Sequence, residues 1–391
     1  MNHPIHDRII CICISFLMLG ILEIGARMFY KDKNTLDYIL SIIKQSPDLI
    51  WTQQPNLNIK FENTSVKTNN LGFRENVFPL KKNANTTRIL CLGGSSTFGW
   101  GVEADQTYSS ILNSQLKNDP SLKENVEVFN AGIIGYSSFQ GLKLLESRIL
   151  ELSPDIITIS YLVNDIDKLR FYRNNGLTDK ELPLKNNTLI ALENALENSA
   201  FYIMFKKMLS QAQGKTPYFY GTSQNLYPKK RRVTPEEYRE NISSIINIAK
   251  EKGIKIVLIK MPILNPPKSK NPEFDPSSSA EDYFNKAKNA KLKNDLALAD
   301  KYFKEAKRLE LVECVKIIQA YYGVLEDISE KYNVILVDAV KAFEKHEKEG
   351  TEQLFVNPDY DLVHPSYLGH KIIANELANE IKTHKLISFS Q

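Results

Sequence analysis

Five short runs of apolar or β-branched residues recur along the chain. They are Ile89 to Leu92, Val126 to Phe129, Ile156 to Val163, Ile254 to Ile259 and Val334 to Val337. Glu127 and Lys255 aside, each is continuous rather than alternating, which is the pattern of a strand covered on both faces. Between them, Thr107 to Leu116, Ser138 to Leu152 and Ser366 to Lys382 carry apolar residues at three- and four-residue spacing, as amphipathic helices do. Thr234-Pro235-Glu236-Glu237 is a capping box with proline at the first helical position, and it opens a helix to about Lys252. This alternation predicts an α/β fold: a doubly wound parallel sheet of about five strands with helical insertions.

Two stretches interrupt the alternation. Residues 166–230 are polar and aromatic, with Phe171-Tyr172, Phe201-Tyr202 and Tyr218-Phe219-Tyr220; they read equally as a lid or substrate wall and as ordinary packing. Residues 265–310 begin with a Pro/Ser-rich loop from Asn265-Pro266-Pro267 to Ser279. Ala287, Ala290, Leu296, Ala299, Tyr302, Phe303 and Ala306 then predict one helical hairpin of the tetratricopeptide kind, too short for an array. Residues 31–87 read as a polar lead-in with few periodic segments, where Asn69-Asn70-Leu71-Gly72-Phe73-Arg74 stands out as a turn followed by an aromatic and a cation.

At the N-terminus, Ile9 to Leu22 is uncharged and almost wholly apolar, and the run continues weakly past Glu23 to Ala26 behind a small positive region at Arg8. A span needs roughly 20 residues, and Ile24-Gly25-Ala26 is a poor cleavage site. An uncleaved signal anchor over residues 1–30 is therefore expected, ahead of a cleaved signal peptide or a buried helix, with the remainder outside the cytoplasm. Arg27, Lys31 and Lys33 on the far side leave the orientation open. The expected organisation is anchor 1–30, lead-in 31–87, and a catalytic domain 88–391 with insertions at 166–230 and 265–310.

Composition narrows the function classes. The chain has 391 residues, 42% of them hydrophobic, and a formal net charge of +4. Such a mild balance gives no reason to expect nucleic acid. The densest basic run, Lys229-Lys230-Arg231-Arg232, reads as a solvated loop. The four cysteines, Cys11, Cys13, Cys91 and Cys314, form neither a disulfide framework nor a metal-ligand spacing. No cofactor or metal is expected.

The candidate chemistry lies at strand ends. Gly93-Gly94-Ser95-Ser96-Thr97 follows the first strand, so Ser95 stands at a carboxyl edge, where open α/β sheets place ligands. A serine hydroxyl needs a base within hydrogen-bond reach. Among six histidines, only His364 has a nearby acid, Asp361, on a loop before a helix; the acid can fix the imidazole tautomer so that the other nitrogen faces Ser95. His3 and His6 precede the apolar run, His346 reads as solvated helix, His370 lies on the following helix and His384 in the tail. Acyl chemistry also needs donors for an oxyanion. Gly135, after the second strand, and Asn164, after the third, are candidates; a turn glycine and a helix cap are their plain alternatives.

Together these blocks resemble the SGNH, or GDSL-type, serine hydrolases. Gly93 to Thr97 corresponds to the serine block, Asn130 to Gly135 to the glycine block, Leu162 to Asp165 to the asparagine block, and Asp361 to Pro365 to the histidine block. The resemblance covers about 88–170 and 333–383. It implies Ser95 as nucleophile, His364 as base, Asp361 as its orienter, and the Ser95 N–H, Gly135 and Asn164 as the oxyanion hole. Two positions depart from the pattern: Gly94 where Asp is usual, and Leu162 where Gly is common. The anchor, the Leu71 to Arg74 segment and the helical insertion also resemble membrane-anchored bacterial members. The expected activity is a serine esterase removing short acyl groups from a carbohydrate or a related small ester. The rivals are an O-acyltransferase acting on a surface polysaccharide and a non-catalytic glycan-binding or assembly protein. A dinucleotide fingerprint, a phosphate-cradling loop and an α/β-hydrolase elbow all fail, since no G-x-G-x-x-G is present, no G-K-[ST] follows Gly93-Gly94 and position 97 is Thr.

Overall fold

The computed structural model describes residues 4–29, 35–61, 64–76, 79–172, 176–183, 185–212, 216–218, 222–224, 227, 229–264, 274–275, 277–349, 353–357 and 361–388. Phe219, Tyr220 and most of the Pro/Ser-rich loop from Asn265 lie outside them.

All five strand candidates are strands of one parallel sheet: β1 (Thr86–Gly93), β2 (Asn125–Gly132), β3 (Ile156–Ile159), β4 (Lys255–Lys260) and β5 (Ile335–Asp338). Their order is β5-β4-β3-β1-β2, and every neighbouring pair is parallel. Successive residues of β1 point to opposite faces. Leu90 and Leu92 enter one core cluster, Ile89 and Cys91 the other.

The helices that cover the sheet start at side-chain caps, of which the Thr234 box was predicted. In chain order the helices used here are α1 (Pro4–Phe29), α2 (Tyr108–Lys117), α3 (Ser138–Ser147), α4 (Asn187–Leu196), α5 (Ala200–Ala212), α6 (Pro235–Glu251), α7 (Ala280–Leu292), α8 (Leu296–Tyr332) and α9 (Tyr367–Thr383). Thr107, Ser137, Thr234 and Ser366 each accept a backbone N–H at the start of α2, α3, α6 and α9. Apolar residues of α3, α6 and α8 pack on one face of the sheet. Those of α2 and α9 pack on the other. The sheet is thus covered on both sides, and its strand order reverses beside β1, which is where such sheets bind ligands.

Several elements differ from the sequence reading. The third strand stops at Ile159, and Val163–Ile166 forms one helical turn instead. The helix expected from Ser138 to Leu152 breaks at Arg148 and resumes as a 3-10 turn, Ile149–Leu152. The second arm of the helical hairpin runs for 37 residues, because its apolar spacing continues until it packs on the sheet and delivers the chain to β5. Asp361–Pro365 is a short strand, not a loop; it pairs antiparallel with Phe355–Asn357.

The lead-in departs furthest. It holds a helix, Thr35–Ile42, and two hairpins, Ile43–Ser46 with Ile50–Gln53 and Asn58–Phe61 with Thr64–Lys67. Ile42, Ile43, Trp51 and Phe73 are buried in the main core cluster. Its short strands alternate too briefly to register as a period, so only the tertiary contact reveals them. The basic run is likewise not a solvated loop throughout: Arg232 is fully buried and paired with Asp179. Helix α1 is the opposite case, since its span Arg8–Phe29 is long and apolar enough to cross a membrane and only 6% of it is buried.

Candidate active site

Ser95 is the first residue of a single helical turn, Ser95–Phe98, that follows β1 directly. Its N–H is therefore one that the turn itself does not use. The turn can sit this close to the sheet only because Gly93 has no side chain: a Cβ there would collide with the hydroxyls of Thr97 and Ser160. Those two hydroxyls lie 2.5 Å apart, and Tyr108 Oη lies 3.1 Å from Thr97 Oγ1. The Asn130 amide donates to Thr97 O at 2.7 Å and completes the inner wall.

The strand Asp361–Pro365 brings the imidazole to the serine. His364 Nε2 lies 2.7 Å from Ser95 Oγ, and His364 Nδ1 lies 2.8 Å from both oxygens of Asp361. With Nδ1–H donating to the carboxylate, Nε2 presents its lone pair to the serine hydroxyl. Burial alone would raise the pKa of Asp361. The His364 imidazole and the backbone N–H groups of Val363 and His364 outweigh it and hold the carboxyl below its ordinary value. Ser96 Oγ donates to Val363 O at 3.0 Å, tying the serine turn to the histidine strand. The Trp100 ring lies 5.7 Å from the imidazole.

The two oxyanion candidates are positioned differently. Gly135 sits in the turn Ile133–Tyr136, closed by Tyr136 N–H to Ile133 O at 3.1 Å, with φ of +75°. A side chain there would meet both unfavourable backbone and the Phe171 ring. Asn164 lies in the turn after β3, and its amide donates to Tyr136 O at 3.1 Å, leaving its second amide hydrogen for another acceptor. This amide explains Gly94. A Cβ on residue 94 would come within 2.7 Å of Asn164 Nδ2, so an Asp there would require the amide to move.

Three supports of the site escaped sequence reasoning. Arg74 is 2% exposed and donates to the carbonyls of Gly99 at 2.5 Å, Val102 at 2.8 Å and Ser65 at 2.8 Å. It thereby holds the loop that leaves the serine turn. Desolvation, larger than the attraction of Glu103 and Asp105, lowers its pKa to about 10. Trp51 Nε1 donates to Ile134 O at 2.9 Å, and Gln53 Oε1 accepts from Ile134 N at 3.1 Å, so the lead-in grips the glycine turn. Arg232 donates to Gly135 O at 2.7 Å and to Gln140 Oε1 at 2.6 Å while paired with Asp179, which Arg170 also approaches at 2.9 Å. Arg232 thus braces the same turn, and the insertion residue Asp179 holds its guanidinium in place. The Leu71 to Arg74 segment was visible as an odd turn with a cation, but nothing local said which carbonyls it would meet.

Two buried titratable groups beside the site make opposite contributions to pH stability. His370 accepts from Tyr108 N at 3.2 Å and is fully buried; desolvation lowers its pKa to about 3. Its folded value lies below the unfolded one, so its contribution is present above about pH 6.5 and is lost as pH falls toward 3. Asp165 accepts from Ser138 N at 2.8 Å, and burial raises its pKa to about 7. Its contribution is present below the unfolded value near 4 and is lost as pH rises through about 7. Each is worth up to a few kcal/mol, at about 1.4 kcal/mol per pH unit. Denaturant melts at pH 4, 6 and 8 should therefore diverge: Asp165→Asn gains on the wild type as pH rises, and His370→Gln gains as pH falls. Parallel curves for all three proteins would contradict both assignments.

A family model described as the GDSL-like lipase/acylhydrolase family matches residues 91–372. Among solved structures, that of TesA is similar at 15% identity, covering 76% of this chain and 99% of that chain, with a TM-score of 0.40. A catalytic mutant of an acetylxylan esterase from Geobacillus stearothermophilus is 16% identical, with 77% and 96% covered and a TM-score of 0.42. The lipase/acylhydrolase from Enterococcus faecalis is 18% identical, with 78% and 99% covered and a TM-score of 0.40. No curated protein matches the chain by sequence.

Proposed function

Because the chain belongs to the GDSL-like lipase/acylhydrolase family and is a hydrolase of ester bonds, we propose that it is a serine esterase. It removes short acyl groups, O-acetyl above all, from a carbohydrate or related substrate through Ser95, His364 and Asp361. The single observation that carries this reading is the continuous relay from Ser95 Oγ to His364 Nε2 at 2.7 Å and from His364 Nδ1 to Asp361 at 2.8 Å.

Ser95 Oγ attacks the acyl carbon while its proton passes to His364 Nε2. The imidazolium so formed is stabilised by Asp361. The Ser95 N–H, the Gly135 N–H and the free Asn164 amide hydrogen receive the tetrahedral oxyanion. Collapse expels the alcohol, which takes the proton from His364 and leaves an acyl ester on Ser95. Water then attacks that ester, giving its proton to His364; the carboxylic acid departs and the proton returns to Ser95 Oγ.

Transfer of the acyl group to a sugar hydroxyl would share the first half of this sequence. The half-buried Trp100 beside His364 favours a ring-shaped acceptor nearby, so the second reading is an O-acyltransferase. Product analysis with an acetylated oligosaccharide separates the two: free acetate at the rate of substrate loss supports the esterase, and acetate appearing on an added sugar acceptor supports the transferase. A missing Ser95–His364 contact would have favoured the binding-protein reading, and the 2.7 Å contact supports the enzymatic ones.

The same proposal places Arg8–Phe29 in a membrane as an anchor and the catalytic domain outside the cytoplasm. The support is an apolar, exposed helix of sufficient length behind a single arginine. Protease added to intact spheroplasts should cleave the globular part. A domain that stays protected until lysis would reverse the orientation.

A further inference from the structure

Helices α4 and α5, within the insertion at 166–230, turn their apolar residues outward. On α4, Leu189, Leu192 and Leu196 are 54%, 56% and 39% exposed, and their three- and four-residue spacing places them in one stripe. Two polar residues of that helix face the protein beside the buried Ile190: Asn194 exchanges two hydrogen bonds with the Gln45 backbone, at 3.0 and 3.2 Å, and Glu193 accepts from the Gln45 amide at 2.7 Å. On α5, Phe205, Met208 and Leu209 are 53%, 59% and 47% exposed, again on one side. A helix beside water buries its leucines and exposes its amides. On α4 only Ile190 is buried while its three leucines are exposed, so that side suits an apolar medium.

The position of the stripe relative to α1 identifies the medium. Glu23 accepts from Ser199 Oγ at 2.7 Å, Ala200 N at 3.1 Å and Phe201 N at 3.0 Å, so it caps the start of α5. Arg27 pairs with Glu23 at 2.7 Å and donates to Asn198 O at 3.2 Å. The junction of α4 and α5 is therefore fixed to the last turns of the anchor. At 1.5 Å per residue, about 20 residues cross a hydrocarbon core of about 30 Å, and the run from Ile9 ends near Met28. Arg27 then lies at the boundary of the bilayer and its partner Glu23 about one and a half turns inside it, near enough to the helix end for the pair to reach the interface, and the α4–α5 junction that they hold lies at that level.

We infer that α4 and α5 are an interfacial platform resting on the lipid surface around the anchor. Leu189, Leu192, Leu196, Phe205, Met208 and Leu209 enter the headgroup–acyl boundary, as amphipathic interfacial helices do. This inference rests on the membrane-anchor reading above. Its consequence is that the catalytic domain is held at a set height and tilt over the membrane instead of swinging on a tether.

The test uses the full chain carrying Cys11→Ser and Cys13→Ser, which leaves only the buried Cys91 and Cys314. An environment-sensitive fluorophore is placed at Leu192→Cys, at Met208→Cys, and at Lys304→Cys, where the side chain is 77% exposed. The protein is reconstituted into vesicles of phosphatidylcholine with a minority of phosphatidylglycerol. Labels at 192 and 208 are expected to emit blue-shifted light and to be quenched severalfold more by headgroup-level nitroxide lipids than the label at 304. Water-like emission at 192 and 208 in vesicle-bound protein overturns the platform alone. Blue-shifted emission that nitroxide lipids fail to quench also overturns it, because a second copy or another protein then covers the stripe. Protein that does not float with the vesicles at all overturns both the platform and the anchor.

Discussion

Ser95→Ala is expected to abolish hydrolysis of small aryl acetates by the detergent-solubilised protein, lowering turnover by about 10⁴-fold or more. Folding should be unaffected, because the Ser95 side chain contributes a contact to His364 and no core packing. Ser96→Ala is the matched control. Ser96 Oγ reaches Val363 O and not the imidazole ring, so its loss loosens the histidine strand without removing a reacting atom, and a loss nearer tenfold is expected by analogy with a displaced positioning group. Equal losses from the two variants would mean that the nucleophile is wrongly assigned. The comparison is sharp because the two hydroxyls are adjacent in sequence and differ only in what they touch.

Asn164→Ala should lower turnover by about 10²–10³, the effect of losing one preorganised oxyanion donor. KM should change far less, since the donor matters most where charge develops. The variant also loses one hydrogen bond to Tyr136 O, worth about 1 kcal/mol of stability, so a modestly lower melting temperature is expected beside the kinetic loss. Unchanged turnover with lowered stability would make Asn164 a strut for the glycine turn and nothing more. Gly94 sharpens the experiment, because the amide lies directly over it. Gly94→Ala should displace Asn164 and reproduce part of the loss with every proposed catalytic group intact.

The parallel sheet was legible because its strands are covered on both faces, which leaves short apolar runs broken only by single charged residues such as Glu127 and Lys255. The serine and histidine ends were legible because glycines and the Asp-x-x-His spacing are local. What stayed hidden is non-local. Arg74 looks like any cation after a turn until its guanidinium is seen among the carbonyls of Gly99, Val102 and Ser65. Arg232 sits in a run of four basic residues, two of which, Lys229 and Lys230, are solvated as expected, while its own partner Asp179 lies 53 residues away. Trp51 and Gln53 belong to a hairpin of four-residue strands, too short to show a period. No chemistry is proposed for these residues; they fix the two turns on which the proposed mechanism rests.

Ser95 as a nucleophile activated by His364 is the centre of the proposed function. A fluorophosphonate probe tests this most directly, because it forms a stable phosphonyl ester with an activated serine and is read by intact mass and peptide mapping. One adduct per chain, mapped to Ser95 and lost in both Ser95→Ala and His364→Ala, is the expected result. Folded protein that takes up no probe, or an adduct on any other residue that persists in Ser95→Ala, would contradict it.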